Sequence, residues 1–402
     1  MSSAAPPSNV NTRLKRAVSI ADLRRLARRR LPRILFDYID GGAGDDAGVR
    51  RNLEALAAYR LRPRYLVDVS ARRLDTRLWQ QPFAAPFGIA PVGLVGLFRA
   101  EGELQLAQAA RDAGVPYILS GASIATIEAV ARVAPAHTWY QLYPAREARI
   151  SLDMLRRASQ AGLHALVLTV DLPVPAKRER DLRNGFDFAI RLTPSLLRDA
   201  LSHPGWAFEY LARGGLPTFG NWAPYAPAGA SAREVAEFFV AHSYATQTWR
   251  DVELYRREWP GRLVLKGIQH PDDARRAVEL GIDGLIVSNH GGRQLECLPA
   301  AIDVLPAIRA AVGDRLTVMV DGGIRRGSDI AVALSLGADF AFVGRAPAYG
   351  VAAAGLAGAA RAFEILREEL DLAMGQIGVT TVHELRAVLV DRVPAAGPEH
   401  AA

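Results

Sequence analysis

The sequence predicts an α/β protein: a (β/α)8 TIM barrel with an N-terminal helical segment and a long insertion after strand 4. Three observations carry this reading. Eight short apolar runs alternate with helical stretches between residues 87 and 345. The runs are apolar throughout rather than alternating, as strands covered on both faces of a parallel sheet must be. About 260 residues for eight βα units is the usual size of such a barrel.

In chain order, residues 1–18 are rich in Ser, Ala, Pro and Asn and read as a flexible N-terminus. Ser19 can cap a helix carrying Ile20, Leu23, Leu26, Ala27 and Leu31 on one face, which Pro32 interrupts. RILFDYIDGG reads as a second short helix closing at Gly41 and Gly42. The glycine-rich DGGAGDDAG (40–48) follows a helical pattern rather than a strand, so it lacks the setting of a dinucleotide-binding turn. The strands are FGIAP (87–91), YILS (117–120), TWYQLY (138–143), ALVLTVD (165–171), LVLKGI (263–268), GLIVSNH (284–290), TVMVDGGI (317–324) and FAFVGR (340–345). Helical stretches such as EGELQLAQAARDAG and PDDARRAVELG separate them. About 90 residues lie between the fourth and fifth runs, more than in any other gap. Residues 172–230 of that gap are rich in Pro, Gly and aromatics and read as a loop insertion, not a second domain. The chain is therefore one domain, 19–385, with a flexible C-terminal tail at 386–402.

Charge and cysteine content exclude several functions. The chain of 402 residues carries a net charge of +7, but residues 1–33 alone hold nine basic residues and one acid. The remainder is close to neutral, which disfavours a nucleic-acid-binding body. The single cysteine, Cys297, closes no internal disulfide and builds no zinc or iron–sulfur site. No metal-ligand spacing is found among the histidines. No signal peptide is read at the N-terminus, and no apolar run is long enough to span a membrane.

Barrel active sites form at the C-terminal ends of the strands, so the residues there are the candidates. His290 and Arg293 share the loop SNHGGRQLE: a neutral imidazole removes protons near pH 7, and an arginine fork matches a carboxylate. Asp171, ending the fourth run, can orient and stabilise that histidine. Arg178 offers a second arginine. Lys266 is one of only three lysines among 49 basic residues, and its place at a strand end suggests that a compact point charge is wanted. DGGIRRGSD and GRAPAYG follow the seventh and eighth strands, where barrels often hold a phosphate with glycine amides, here with Arg325 and Arg345 nearby. Two arginines, a histidine and a phosphate site suggest a phosphorylated cofactor and a carboxylate substrate.

With SNHGGRQLE, DGGIRRGSD, LPRILFDYIDGGA, VGRA and IGVTTVHEL in this order, the chain resembles the FMN-dependent 2-hydroxy acid dehydrogenase/oxidase family over roughly residues 20–385. The resemblance implies that His290 is the active-site base, partnered by Asp171. It implies that Arg178 and Arg293 bind the substrate carboxylate and that Tyr38 and Tyr143 contact carboxylate or hydroxyl. It also implies an FMN site made by Pro91, Val92, Gly93, Ser120, Gln141, Tyr143, Thr169, Lys266, Ser288, Asp321, Gly322, Gly323, Ile324, Arg325, Gly344 and Arg345. Lys266 would lie near the N1–C2 carbonyl edge of the flavin. There are departures from the usual pattern: Ala176 and Lys177 before Arg178, Glu296 in place of Asp, and Gly121 in place of Thr. PVG at 91–93 matches the membrane L-lactate and (S)-mandelate dehydrogenase branch, and Gly93 leaves room for a bulky substrate side chain.

The implied reaction is oxidation of an (S)-2-hydroxy acid, mandelate-like or L-lactate, to the 2-oxo acid. Electrons pass through flavin to a quinone or another acceptor; an oxidase using oxygen and releasing hydrogen peroxide is the alternative. The resemblance further implies a homo-oligomer, a tetramer, in the cytoplasm. There the insertion serves either as contact with the inner face of the cytoplasmic membrane or as an active-site lid.

Overall fold

The computed structural model describes residues 8–186, 188, 193–243 and 247–393, with side chains except at 8–11, 195 and 196. Eight parallel strands close a barrel: β1 Phe87–Ile89, β2 Tyr117–Leu119, β3 Thr138–Leu142, β4 Ala165–Thr169, β5 Arg262–Ile268, β6 Gly284–Val287, β7 Thr317–Asp321 and β8 Phe340–Val343. β8 returns to β1 with Ala341 opposite Phe87. Every apolar run singled out in the sequence is a strand, because each is covered by helices outside and by side chains inside.

The barrel interior is a solid plug. Ile118, Trp139, Val167, Val264, Ile286, Met319, Phe340 and Phe342 form a core of their own. The Trp139 ring lies 5.4 Å from Phe342, which lies 5.5 Å from Phe340. A hairpin, Thr76–Leu78 with Gln81–Phe83, closes the N-terminal mouth with Leu78 and Phe83, and the Trp79 ring lies tilted 5.3 Å from that of Trp139. Each fully buried ring contributes roughly 1.5–3 kcal/mol. With that end stoppered, only the C-terminal rim is open for chemistry.

The N-terminal helices close over that rim. Helix Ile20–Arg30 starts at Ser19 with a capping box to Asp22 and buries Ile20, Leu23 and Ala27 against the last helical segment, Arg345–Ile377. That segment bends at Ala354 and Gly355. Helix Arg33–Asp40 then delivers Tyr38 and Ile39 to the rim. Its end is not a left-handed glycine cap as the sequence suggested: Gly41 is extended, with φ −75°. The glycines serve close approach instead, since a Cβ on Gly42 would lie 2.6 Å from the carbonyl oxygen of Gly292.

The ends of the chain are better ordered than their composition implied. Residues 8–15 are helical, and Leu14 and Ala17 are buried, with the Arg361 guanidinium donating to the Ala17 carbonyl at 3.1 Å. Within the expected tail at 386–402, Val390–Arg392 pairs antiparallel with Tyr59–Leu61. Backbone pairing and one or two buried side chains suffice to order such segments, and composition does not register them. Residues 1–7 and 394–402 of these expected tails lie outside the described residues.

The excursion after β4 carries helices Glu179–Arg183, Pro194–Leu201 and Pro204–Leu211 before helices Ala232–His242 and Trp249–Glu258 complete the unit. It is pinned to the rim. Trp206 Nε1 donates to the Leu97 carbonyl at 2.9 Å, and Trp222 Nε1 to that of Gly121 at 2.9 Å. Glu209 accepts from the Ala100 amide at 2.9 Å and pairs with Arg30 and Arg99. Of the expected insertion 172–230, residues 187 and 189–192 are outside the described residues.

Candidate active site

A pocket of about 1050 Å3 opens at the C-terminal ends of the strands. His290 sits on its wall. The residue adopts φ +57°, a left-handed conformation that a non-glycine residue rarely holds and that clusters at functional sites. The Ser288 hydroxyl fixes it by accepting from the His290 amide at 2.9 Å. Its Nδ1 lies 2.9 Å from Asp171 Oδ1, and its Nε2 lies 3.5 Å from the Tyr143 hydroxyl. Asp171 comes this close because residue 267 has no side chain: a Cβ on Gly267 would lie 2.5 Å from that of Asp171. Burial pulls the histidine pKa below its ordinary value; Asp171 pushes it up, Lys266 pulls it down, and the net direction is down. Burial acts to raise Asp171, but His290 and Lys266 outweigh it, so the carboxylate stays ionised. The pair is thus an imidazole whose charged form is disfavoured, held by an ionised carboxylate.

The two arginines meet across the pocket from different loops. Arg293 is buried. Its Nη1 donates to the carbonyls of Tyr38 at 2.6 Å and Gly41 at 2.7 Å, and its guanidinium lies 4.8 Å above the Tyr38 ring. Its Nη2 has no partner among the described residues. A buried cationic donor left open is costly unless an anion fills it. Arg178 donates through Nε to the Arg293 carbonyl at 3.3 Å and lines the same pocket.

DGGAGDDAG, unassigned by its motif, is the strap that holds both arginine loops. The Ala43 amide donates to the Gly292 carbonyl and that of Gly44 to the Lys177 carbonyl, each at 2.9 Å. Asp40 accepts from Arg24, from Arg180 at 3.1 Å and from the Tyr349 hydroxyl at 2.7 Å. Burial opposes ionisation there, yet these donors hold its pKa well below the ordinary carboxylate range.

At the other end, Gly322 and Gly323 follow β7 with φ +104° and +84°, and with Arg325 and Gly344 they line the pocket. Lys266 is buried and lines it too, with its Nζ 3.0 Å from Ser288 Oγ and 3.4 Å from Asp321. Pro91, Val92, Gly93 and Ile324 complete this wall. Arg345 also lines the pocket, but its guanidinium is committed to the carbonyls of Ile39, Gly41 and Gly291. Ser120, Gln141, Thr169 and Ser288 are buried behind the wall rather than lining it. Gln141 Nε2 donates to Thr169 Oγ1 at 2.7 Å, and its Oε1 accepts from the Gly121 amide at 3.3 Å.

Sequence reasoning missed several contributors. Asn289 and Asn52 exchange reciprocal amide hydrogen bonds at 2.9 Å, which fixes the loop behind His290. Ala122, Leu172, Phe188 and Phe239 line the pocket. Only the polar end of β6 hinted at Asn289, and no signal distinguished the apolar residues from core.

A barrel with this donor set at its rim has known counterparts. A family model described as FMN-dependent dehydrogenase matches residues 27–392. The chain belongs to the FMN-dependent dehydrogenase family. The chain is 42% identical over 380 residues to a protein named L-lactate dehydrogenase from Caulobacter vibrioides, covering 94% of this chain and 99% of that one. A Pseudomonas aeruginosa protein of the same name is 40% identical over 366 residues, 91% of this chain and 96% of that one. Among solved structures, the monotopic membrane protein (S)-mandelate dehydrogenase superposes with a TM-score of 0.89 at 36% identity, covering 93% of this chain and 99% of the other. Mandelate oxidase with (S)-4-hydroxymandelic acid gives a TM-score of 0.81 at 39% identity, covering 94% and 99%. The family read from the motifs is therefore the family found, and FMN is its cofactor. The pocket suits FMN. Glycine backbone and Arg325 at one end can take a phosphate, and the buried Lys266 supplies fixed positive charge in the middle. His290 and the open Arg293 donor are left for a second, anionic ligand.

Proposed function

We propose that this enzyme oxidises an (S)-2-hydroxy acid to its 2-oxo acid and passes the electrons to a quinone. The observation that carries the substrate class is the open Arg293 Nη2 in the same pocket as the His290–Asp171 pair. Arg178 and Arg293 hold the carboxylate, and the Tyr38 and Tyr143 hydroxyls orient the substrate. His290 Nε2 takes one proton from it, and Asp171 stabilises the imidazolium. FMN supplies the two-electron acceptor. Lys266 offsets negative charge next to it. The dehydrogenase names of the relatives favour an acceptor other than oxygen. A panel of lactate, mandelate and glycolate, each with quinone, dye and oxygen as separate acceptors, tests the reading. Fastest turnover on glycolate, or on oxygen, overturns the corresponding half.

The pH dependence follows from the base. Only neutral His290 accepts a proton, so kcat/KM must fall as pH drops through its pKa. Burial lowers that pKa from 6.5, so the acid limb is expected below pH 6.5. Asp171→Asn removes an upward push, so the limb should move lower still while the plateau rate falls. A wild-type limb centred above pH 7 contradicts this assignment.

Gly93 bears on substrate size. A Cβ there would meet Ala122 Cβ at 3.2 Å and the Tyr38 hydroxyl at 3.3 Å, so Gly93→Ala crowds the pocket where the substrate side chain is placed. A pocket methylene is worth about 1–3 kcal/mol of discrimination. Gly93→Ala is therefore expected to lower kcat/KM for mandelate about tenfold more than for lactate. Equal losses remove Gly93 from side-chain selection.

Membrane contact is proposed through the excursion. Leu201, Phe208 and Leu211 are more than 70% exposed on two adjacent helices. No helix of the described residues is long and apolar enough to cross a bilayer, so contact would be from one side. Near its end, helix Ile20–Arg30 exposes Arg28 and Arg29, which can add attraction to anionic lipid. Flotation with anionic liposomes at low salt should recover the wild type and lose a Phe208→Ser/Leu211→Ser variant. No flotation of the intact chain makes the excursion a lid.

A further inference from the structure

Next to the active site lies a second cavity, apolar and partly open to solvent. Its walls include Leu94 and Leu97 after β1, Ile124 after β2, and Leu201, Leu211 and Leu216 of the excursion. Trp206 and Tyr210 line it as well, but their polar atoms are already used. Trp206 Nε1 donates to the Leu97 carbonyl at 2.9 Å, and the Tyr210 hydroxyl to that of Gly96 at 2.6 Å. Both rings therefore offer the cavity apolar surface. Arg233, the charged residue at its rim, is half exposed and paired with Glu237 at 2.9 Å. A polar ligand would lose its water here and gain little in return. An apolar groove that stays partly open to solvent favours an apolar occupant, because covering it removes apolar surface from water.

The occupant's chemistry follows from what adjoins the cavity. Phe188 lines both this cavity and the active-site pocket. Its ring centroid lies 6.2 Å from that of Tyr38 on the active-site side, 6.2 Å from Phe219 on the cavity side and 5.4 Å from Phe239. One aromatic partition thus stands between the active-site pocket and an apolar chamber. The chamber's outer wall is made by leucines that are themselves exposed: Leu201 and Leu211 are each more than 70% accessible. Among the described lining residues, a lipophilic molecule entering there meets no charged side chain but Arg233 at the rim before Phe188.

We propose that this cavity is the acceptor site and binds a lipid-soluble quinone, with its tail along Leu97, Leu201 and Leu211 and its ring toward Phe188. The inference rests on the acceptor class proposed above and adds where that acceptor binds. The overall reaction balances. The hydroxy acid gives up two electrons and two protons to become the oxo acid, and the quinone takes up two electrons and two protons to become the quinol. Substrate and acceptor then occupy separate chambers, so the acid need not leave its arginines before the quinone arrives.

The test uses the FMN-loaded full chain and two cavity-filling variants, Ala207→Trp and Ala236→Phe, so that poor folding of one does not end it. Three quantities are read: KM for a quinone with a ten-carbon tail and for its tail-less analogue, the anaerobic rate of flavin reduction by substrate, and the peptide labelled by a photoreactive azido-quinone. In the wild type the tail should lower KM by at least about tenfold, given the free energy of burying each methylene. A folded variant should lose that advantage, keep its flavin-reduction rate within about twofold, and lose label from residues 197–216. Quinone turnover without tail dependence overturns the cavity site alone, as does label confined elsewhere. A variant that slows reduction by mandelate but leaves both quinones unchanged gives the chamber to the substrate side chain, and likewise overturns it. No turnover with any quinone sinks the acceptor reading itself.

Discussion

His290→Asn is expected to fold and bind FMN as the parent does, while reduction of its flavin by substrate slows by about 10²–10⁴, the usual worth of a general base. That corresponds to about 3–5.5 kcal/mol of barrier. Asparagine is the informative replacement for two reasons. It tolerates the left-handed backbone that His290 adopts at φ +57°, so the loop need not rearrange. Its amide can still donate to Asp171, so that carboxylate is not stranded. What is lost is the basic nitrogen near Tyr143. Anaerobic stopped-flow bleaching measures the step directly, and the acid limb of the pH profile should vanish with it. Reduction at the parent rate removes His290 from proton transfer, whatever happens to steady-state turnover.

The barrel was legible because each of its strands is apolar on both faces, and few other elements read that way. The polar residue ending each run was legible for the same reason: Asp171, Lys266, His290 and Asp321 stand out against the apolar stretch before them. The path of the loops was not. That Gly42 lets residues 40–48 lie against Gly292 depends on contacts about 250 residues apart, and that His290 is left-handed is fixed by a Ser288 bond that no sequence pattern signals. DGGAGDDAG therefore looked like a failed nucleotide motif, although it is the strap behind both arginines. Phe188 and Phe239 were invisible as pocket residues because an apolar side chain, in a loop as for Phe188 or on a helix as for Phe239, reads as core. Ser120, Gln141 and Thr169 stand out as strand-end polar groups, but no single sequence reveals that they sit behind the wall, hydrogen-bonded to one another's loops.

Arg293→Lys is the second variant with a large expected effect, a loss of about 30- to 150-fold in kcat/KM, or ~2–3 kcal/mol. Lysine keeps the charge but not the fork. In the parent, Nη1 is occupied by the carbonyls of Tyr38 and Gly41, which leaves Nη2 for an anion. One ammonium cannot reach both the strap and the substrate. It will either abandon the carbonyls or abandon the carboxylate. The carbonyl of Gly41 keeps a second donor in Arg345, at 2.7 Å, so the strap is expected to hold and the loss to fall on the substrate. Most of it should appear in KM, because the carboxylate is bound in the ground state as well as in the transition state. A neutral substrate separates this from general damage. The amide of the same 2-hydroxy acid cannot use the arginine fork, so the parent should handle it poorly and Arg293→Lys should lose little further on it. If acid and amide fall by the same factor, Arg293 supports the loop and does not recognise the carboxylate.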